Sequence, residues 1–375
     1  MFARTRTIRP EFVRSLQTTP RRQAIPPALY LFAKPLARLT AAFFGKSVRV
    51  WWKRLPANRK LEVKNKLLEH KKKIGFAGTS FFGGLVYAYE SHVQECSVTG
   101  RRRFVALYPD QVKKISKQEF EASLDEYKSD ILHNKHPSYE RVVRVSNRLL
   151  HANRDIRQIY DKTWTVTVVD LPIQNAYVLP SGNIFVFRGM LDFCRNDDAL
   201  AVILAHEMAH AIIGHGAEKL TRASFISWIM LVPMALLWAV IPSDGIALVT
   251  DWFIGKVNTI FLELPFDRAM ESEADEVGLQ MMAKACYDVR EAPVVWKIME
   301  LIDEDEINID KDLEFLSTHP AHCTRYESLL EQLSSAIKIR CDFGCSRLDP
   351  KCDPFKDVND FKTFLNNQKV MTVVR

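Results

Sequence analysis

Residues 206–215 read HEMAHAIIGH, directly after the apolar run AVILA at 201–205. The run predicts a buried helix, and a buried imidazole or carboxylate needs a partner. Positions four apart share one face of a helix, so His206 and His210 can point at the same ion. Glu207 lies about 100° round, beside that face. Two neutral imidazoles suit zinc, and a neighbouring glutamate can take a proton from the water that zinc activates. This spacing is the zincin signature. Its bland counterpart is a pair of core histidines satisfied by their neighbours, and a third ligand decides between the two.

His215 is the nearest further donor. Nine residues from His206, it falls roughly 180° round a straight helix and could join only if the helix broke after Gly214. The metzincin pattern wants different spacings for its glycine and third histidine, so His215 is left out of the ligand set. Downstream, DRAMESEADEVG (267–278) packs carboxylates onto a helical pattern. Glu271 and Asp275 are four apart and share a face, whereas Glu273 points about 160° away from the face of Asp275. Alone, this segment would read as an acidic solvated surface. Behind HEMAH it reads as the second helix that supplies a glutamate ligand, with Asp275 placed to fix a ligand histidine's tautomer.

Charge divides the chain of 375 residues unevenly. The net charge is +7, yet fourteen Lys or Arg and a single acid, Glu11, fall between Met1 and Leu61, and the remainder is mildly acidic. The basic balance therefore belongs to the N-terminus, and with no nucleic-acid motif present no nucleic-acid partner is expected. Residues 1–24 are rich in Arg, Ser and Thr, nearly free of acid and without an apolar h-region, which fits a mitochondrial targeting segment. Residues 25–73 mix tryptophans, apolar residues and Lys/Arg in the manner of a membrane-interface region.

Next comes IGFAGTSFFGGLVYAY, sixteen uncharged residues. As a helix they reach about 24 Å, and snorkelling Lys71–Lys73 with Tyr87 and Tyr89 can make up the rest of a bilayer. A transmembrane helix is expected at 74–90, with the basic flank on the matrix or cytoplasmic side and the following chain opposite.

Residues 91–345 are expected to form one metallopeptidase domain and 346–375 a tail. TWTVTVVDL (163–171) alternates and is β-branched, which predicts a strand. NAYVLPSGNIFVFRGML (175–191) predicts strand, turn at Pro180–Gly182, strand. Helix resumes near 197 and is expected to run through HEMAH to about 220. The fold class is thus α+β, a mainly helical zincin-like domain with a small β-sheet.

The run 223–243 is uncharged for twenty-one residues, and Pro233 should kink it. His210 and Glu271 can share an ion only if the chain between them crosses a bilayer an even number of times. Asp251 and Lys256 make a return crossing costly, so 223–262 is expected as a kinked hairpin in or at the membrane. Seven cysteines are scattered without a CxxC pair. Cys341, Cys345 and Cys352 cluster near the C-terminus, where they could form a disulfide or bind metal weakly, and are read first as free loop thiols.

HEMAH followed by ESEAD resembles the HtpX and CaaX-prenyl-protease group of integral-membrane gluzincins, whose pattern is HExxH…ExxAD. NAYVLPSGNIFVFRGML and STHPAHCTR (317–325) are similar to further segments of that group. KPLARL, WWKRLP and AKACYDVR resemble its mitochondrial inner-membrane stress branch. The resemblance covers roughly residues 25–345. It implies a zinc endopeptidase with one Zn2+ per chain, Glu271 as third ligand and Glu207 as general base. It implies that His319 stabilises the oxyanion or approaches the zinc, and that Arg325 holds the floor of the site through a carboxylate. Asn175 and the strand after it would bind extended substrate.

The implied setting is the inner mitochondrial membrane, single-pass, with the catalytic domain in the intermembrane space. The implied partners are the lipid bilayer and membrane-protein substrates, including a dynamin-like fusion GTPase and a stress-relay protein; a homo-oligomer is compatible with the sequence. Two rivals stand beside this reading. One is a catalytically silent zinc scaffold, against which an intact Glu207 speaks. The other is a prenyl-protein peptidase of another membrane, a group with several spans.

Overall fold

The structure, a computed structural model, describes residues 27–259, 264–304, 314–320 and 323–363. The targeting segment expected at 1–24 lies outside the described residues. Helices α1 (Pro27–Arg54), α2 (Ala57–Glu69) and α3 (Lys71–Glu90) lead to a hairpin of β1 (Val93–Glu95) and β2 (Arg102–Phe104). Helices α4 (Pro109–Glu126) and α5 (Pro137–Ala152) and the single turn α6 (Arg157–Tyr160) precede β3 (Thr165–Val169), β4 (Ala176–Val178) and β5 (Asn183–Phe187). Then come α7 (Arg188–Phe193), α8 (Asp197–Ile213), α9 (His215–Ile229), α10 (Leu231–Val240) and α11 (Asp244–Asn258). The last are α12 (Leu264–Lys284), α13 (Glu291–Glu304), α14 (Glu314–Thr318) and α15 (Cys323–Asp342). The described residues form two compact units, one from 112–216 with those from 268 onward, the other from 27–111 with those of 217–267.

The first unit is built round a three-stranded sheet of order β3-β5-β4. Central β5 runs parallel to β3 (Thr165 opposite Asn183) and antiparallel to β4 (Ala176 opposite Val186). TVTVV and NIFVF are β-branched and aromatic at most positions, and every residue of both strands is buried, as befits strands covered on both faces. The hairpin turn at Pro180–Gly182 falls where the sequence placed it. Val169, Leu179, Phe185 and Phe187 form a core cluster that Phe120 and Leu124 of α4 and Tyr127 just after it cover.

Helix α8 carries HEMAH and is buried on almost every side, with only Asp197, Asp198 and His210 less than fully covered. A helix apolar all round belongs inside a core. Its start is fixed by Asn196, whose side chain accepts from the Ala199 N–H at 2.7 Å, and by Asp197 and Asp198 in the first turn. Its end differs from the expected continuation to about 220. Gly214 adopts φ +87°, the left-handed conformation that glycine alone takes freely, and α9 sets off afresh from His215.

Helix α12 crosses α8 at Gly278, where a Cβ would stand 3.1 Å from the His206 backbone nitrogen. The missing side chain is what lets the two backbones approach. Beyond α12, Cys286 is disulfide-bonded to Cys345, their Cα atoms 5.3 Å apart. This corrects the reading of Cys345 as a free thiol: the fold joins residues 59 apart in sequence, which spacing alone does not reveal. Cys341 and Cys352 are free and exposed.

In the second unit, α1 lies along α10, with Gly45 against the Ala235 carbonyl. Arg49 bonds the Ile241 carbonyl and Asp244, and Lys46 reaches Asp244 at 2.6 Å, so the basic face of α1 holds the α10–α11 turn. The expected kink appears as a break at Met230, one turn before Pro233. Tyr89 stacks on Phe104 at 4.7 Å between centroids, and Phe225 meets Phe104 edge-on at 5.0 Å. Trp228, Leu236, Val240, Val249, Trp252 and Phe253 are exposed, and α3 buries no residue. Among the described residues, the helical run His215–Val240 is long and apolar enough to cross a membrane.

Candidate metal centre

Four elements of the first unit converge on one point. Helix α8 presents His206, Glu207 and His210; α12 presents Glu271, Glu273 and Asp275; His319 follows α14; and Arg325 opens α15. One ligand atom each from His206, His210, Glu271 and His319 lies within 4.8 Å of all the others. The His206 and His210 Nε2 atoms are 3.1 Å apart. Glu271 places its carboxylate oxygens 3.3 Å from His206 Nε2 and 3.4 Å from His210 Nε2. His319 Nδ1 is 3.0 Å from Glu271 Oε2 and 3.3 Å from His206 Nε2.

Behind these donors His206 and His210 are each held from the other nitrogen. His206 Nδ1 is 2.9 Å from Asp275 Oδ1. A carboxylate only accepts, so the proton sits on Nδ1 and the Nε2 lone pair faces the cluster. His210 Nδ1 meets His215 Nδ1 at 2.8 Å, and His215 Nε2 meets Glu273 Oε2 at 3.0 Å. Arg325 donates twice to Asp275, through Nε and Nη2, both at 2.7 Å, and its Nη1 is 3.1 Å from Glu271. Its guanidinium lies 3.3 Å over the Trp296 ring.

The electrostatics favour a cation. Burial works against charge on His206, yet the Asp275 and Glu271 carboxylates draw it up to about 9. Burial, with His206 beside it, holds His210 well below its usual range, so that ring is neutral. Burial opposes ionisation of Glu271, but hydrogen bonds to His206 and His319 keep its carboxyl far below the ordinary range. Burial also opposes ionisation of Asp275, and the Arg325 charge overrides it. An imidazole drawn toward its protonated form, a neutral imidazole and an ionised carboxylate thus meet in a place that demands positive charge, supplied by a proton or by a metal that takes its place. That donor set fits a divalent metal of the zinc kind.

Glu207 is 3% exposed, and burial pushes its carboxyl up, against the pull of His319, His206 and a backbone hydrogen bond from Val178. Its Oε1 is 3.2 Å from His319 Nε2, but off the line of a hydrogen bond, and is left without a partner. A buried carboxylate oxygen in that state is poised to accept a proton.

The structure therefore brings His206, Glu207, His210, Glu271, Asp275, His319 and Arg325 together. Asn175 is not among these contacts; it is half-buried just ahead of β4, its carbonyl accepting from the Phe187 N–H at 3.1 Å. Sequence reasoning missed the place of His215 and Glu273: the break at Gly214 turns His215 back onto His210, on the side where Glu273 meets it. It also missed Trp296 beneath Arg325 and Phe315, whose ring stacks on His319 at 4.6 Å. No local signal marks either aromatic; each is brought in by long-range packing.

The family model of peptidase family M48 matches residues 136–333. Over 90% of its length the chain is 38% identical to "Metalloendopeptidase OMA1, mitochondrial" of Homo sapiens, and it spans 65% of that relative. It is 38% identical to the protein of the same name in Danio rerio, with 91% of the chain and 71% of the relative covered. The "Mitochondrial metalloendopeptidase OMA1" of Schizosaccharomyces pombe is 33% identical, over 75% of the chain and 79% of the relative.

Proposed function

The chain belongs to peptidase family M48, and from that membership we propose that it is a zinc metalloendopeptidase anchored in the inner mitochondrial membrane. The observation that carries the proposal is the convergence of His206, His210 and Glu271 beside an orphaned Glu207 oxygen. Zinc held by those three residues would supply Lewis acidity and a water nucleophile near neutral pH. Glu207 accepts the proton of the attacking water and returns it to the leaving amine. His319 offers Nε2 to the developing oxyanion. Asp275 orients His206, and Arg325 clamps Asp275 and Glu271 in place. β4 is an edge strand of its sheet, and Asn175 with β4 receives extended substrate as an added strand.

The setting follows from the N-terminal charge and the apolar surface. α3 is the N-terminal anchor, supported by its lack of any buried residue and by Lys71–Lys73 at its start. The peptidase unit faces the intermembrane space, and the exposed apolar residues of α10 and α11 meet lipid. Substrates are membrane proteins of that compartment, among them a dynamin-like fusion GTPase and a stress-relay protein. A stripped sample should lose cleavage of such a substrate and regain it on stoichiometric zinc; cleavage that survives complete metal removal would contradict the proposal.

His319 supports a second reading. With His206, His210 and Glu271 it makes a set of four donors, and a closed four-ligand site is characteristic of structural zinc. A scaffold of that kind would hold zinc and cut nothing under any condition.

A further inference from the structure

Among the described residues, His215 and Glu273 are the buried titratable pair at the centre that the proposed chemistry does not use. The side chain of His215 is 2% exposed and that of Glu273 is 9% exposed. The chain of contacts is directional. Glu273 Oε2 can only accept at 3.0 Å, so His215 Nε2 carries hydrogen. A neutral His215 then has a bare Nδ1, which can only accept from His210 Nδ1 at 2.8 Å. With its hydrogen on Nδ1, His210 turns a free Nε2 lone pair toward Glu271 and His206. The opposite tautomer of His210 would put a hydrogen where a metal belongs. Gly214 makes the arrangement possible, since its φ of +87° ends α8 and swings His215 back beneath His210.

We propose that His215 and Glu273 are positioning residues that fix the tautomer and ring orientation of ligand His210, and so set the metal affinity of the centre. The two histidine ligands are then secured by different means, His206 by a carboxylate in direct contact and His210 by a carboxylate acting through a second imidazole. The inference rests on the metallopeptidase reading.

The test is zinc affinity, measured on the full detergent-solubilised chain by competition with a chromophoric chelator. His215→Asn sets a side-chain carbonyl near the place of Nδ1 and can still accept from His210. His215→Gln sets its polar group near the place of Nε2 and leaves His210 Nδ1 unpaired. The two variants are similar in size and polarity, so a merely structural role would affect both alike. We expect His215→Gln to bind zinc about 10- to 100-fold more weakly than wild type, the range for loss of a group that orients a ligand. His215→Asn should stay close to wild type. Glu273→Leu should weaken binding in the native background and add little to His215→Gln, because both break one chain of contacts. Equal affinity in wild type, His215→Asn and His215→Gln overturns the positioning role alone. A wild-type chain that takes up no zinc overturns the metallopeptidase reading along with it.

Discussion

A carboxylate oxygen buried without a donor is costly, and Glu207 is kept in that state within reach of His319 and beside three convergent metal donors. The pairing of His206, Glu207 and His210 was legible in the sequence because helical spacing alone puts them on adjoining faces. Glu271 and Asp275 were legible by the same rule. His319 and Arg325 came only from the family resemblance, because nothing local distinguishes a histidine before a proline, or a surface arginine, from a residue carried into a site by α14 and α15. The geometry gives His319 two contacts of different kinds, Nε2 toward Glu207 and Nδ1 toward Glu271. Removing an oxyanion donor typically lowers kcat by about 100- to 1000-fold. His319→Ala should therefore keep its zinc and lose turnover on that scale with KM little changed. Loss of zinc from this variant would favour the closed four-donor site instead.

At the scale of elements, the strands and the buried helix were readable because β-branched alternation and an unbroken apolar run leave few alternatives. The end of α8 was not, since a lone glycine within a helical pattern signals a cap only when its φ is known. The start of α8 depends on Asn196, which caps the helix and donates through Nδ2 to Glu291 Oε1 at 2.6 Å. Burial raises the Glu291 carboxyl above its ordinary value, with the Asn196 bond working the other way. A carboxyl raised in the fold contributes stability at low pH, where it is protonated in both states, and that contribution is lost as pH climbs through its folded value. Glu291→Gln keeps an acceptor for Asn196 and removes the charge. Thermal unfolding should then show the variant melting above wild type at pH 7.5, with the gap closing near pH 4. A gap that does not change with pH would mean that charge burial at Glu291 is not the cause.

On the scale of the whole molecule, the basic N-terminal charge and the apolar runs were plain in composition, but the disulfide from Cys286 to Cys345 was not, because it depends on where two helices end. One constraint carries from the centre to the membrane. His210 and Glu271 meet with 3.4 Å between donor atoms, so the α9–α11 segment between them leaves and returns to the same side. A tag inserted after Ser243 should be reached by protease on the same side as the C-terminus if the hairpin is shallow. Protection of that tag alone would show two crossings.

The most direct measurement compares wild type with Glu207→Gln, recording bound zinc and cleavage of a membrane-protein substrate in the same preparations. The account predicts about one zinc in each, since Glu207 is not among the ligands, and cleavage by wild type alone. Cleavage by Glu207→Gln at the wild-type rate, or zinc bound by both with neither cutting under any activating condition, would contradict it.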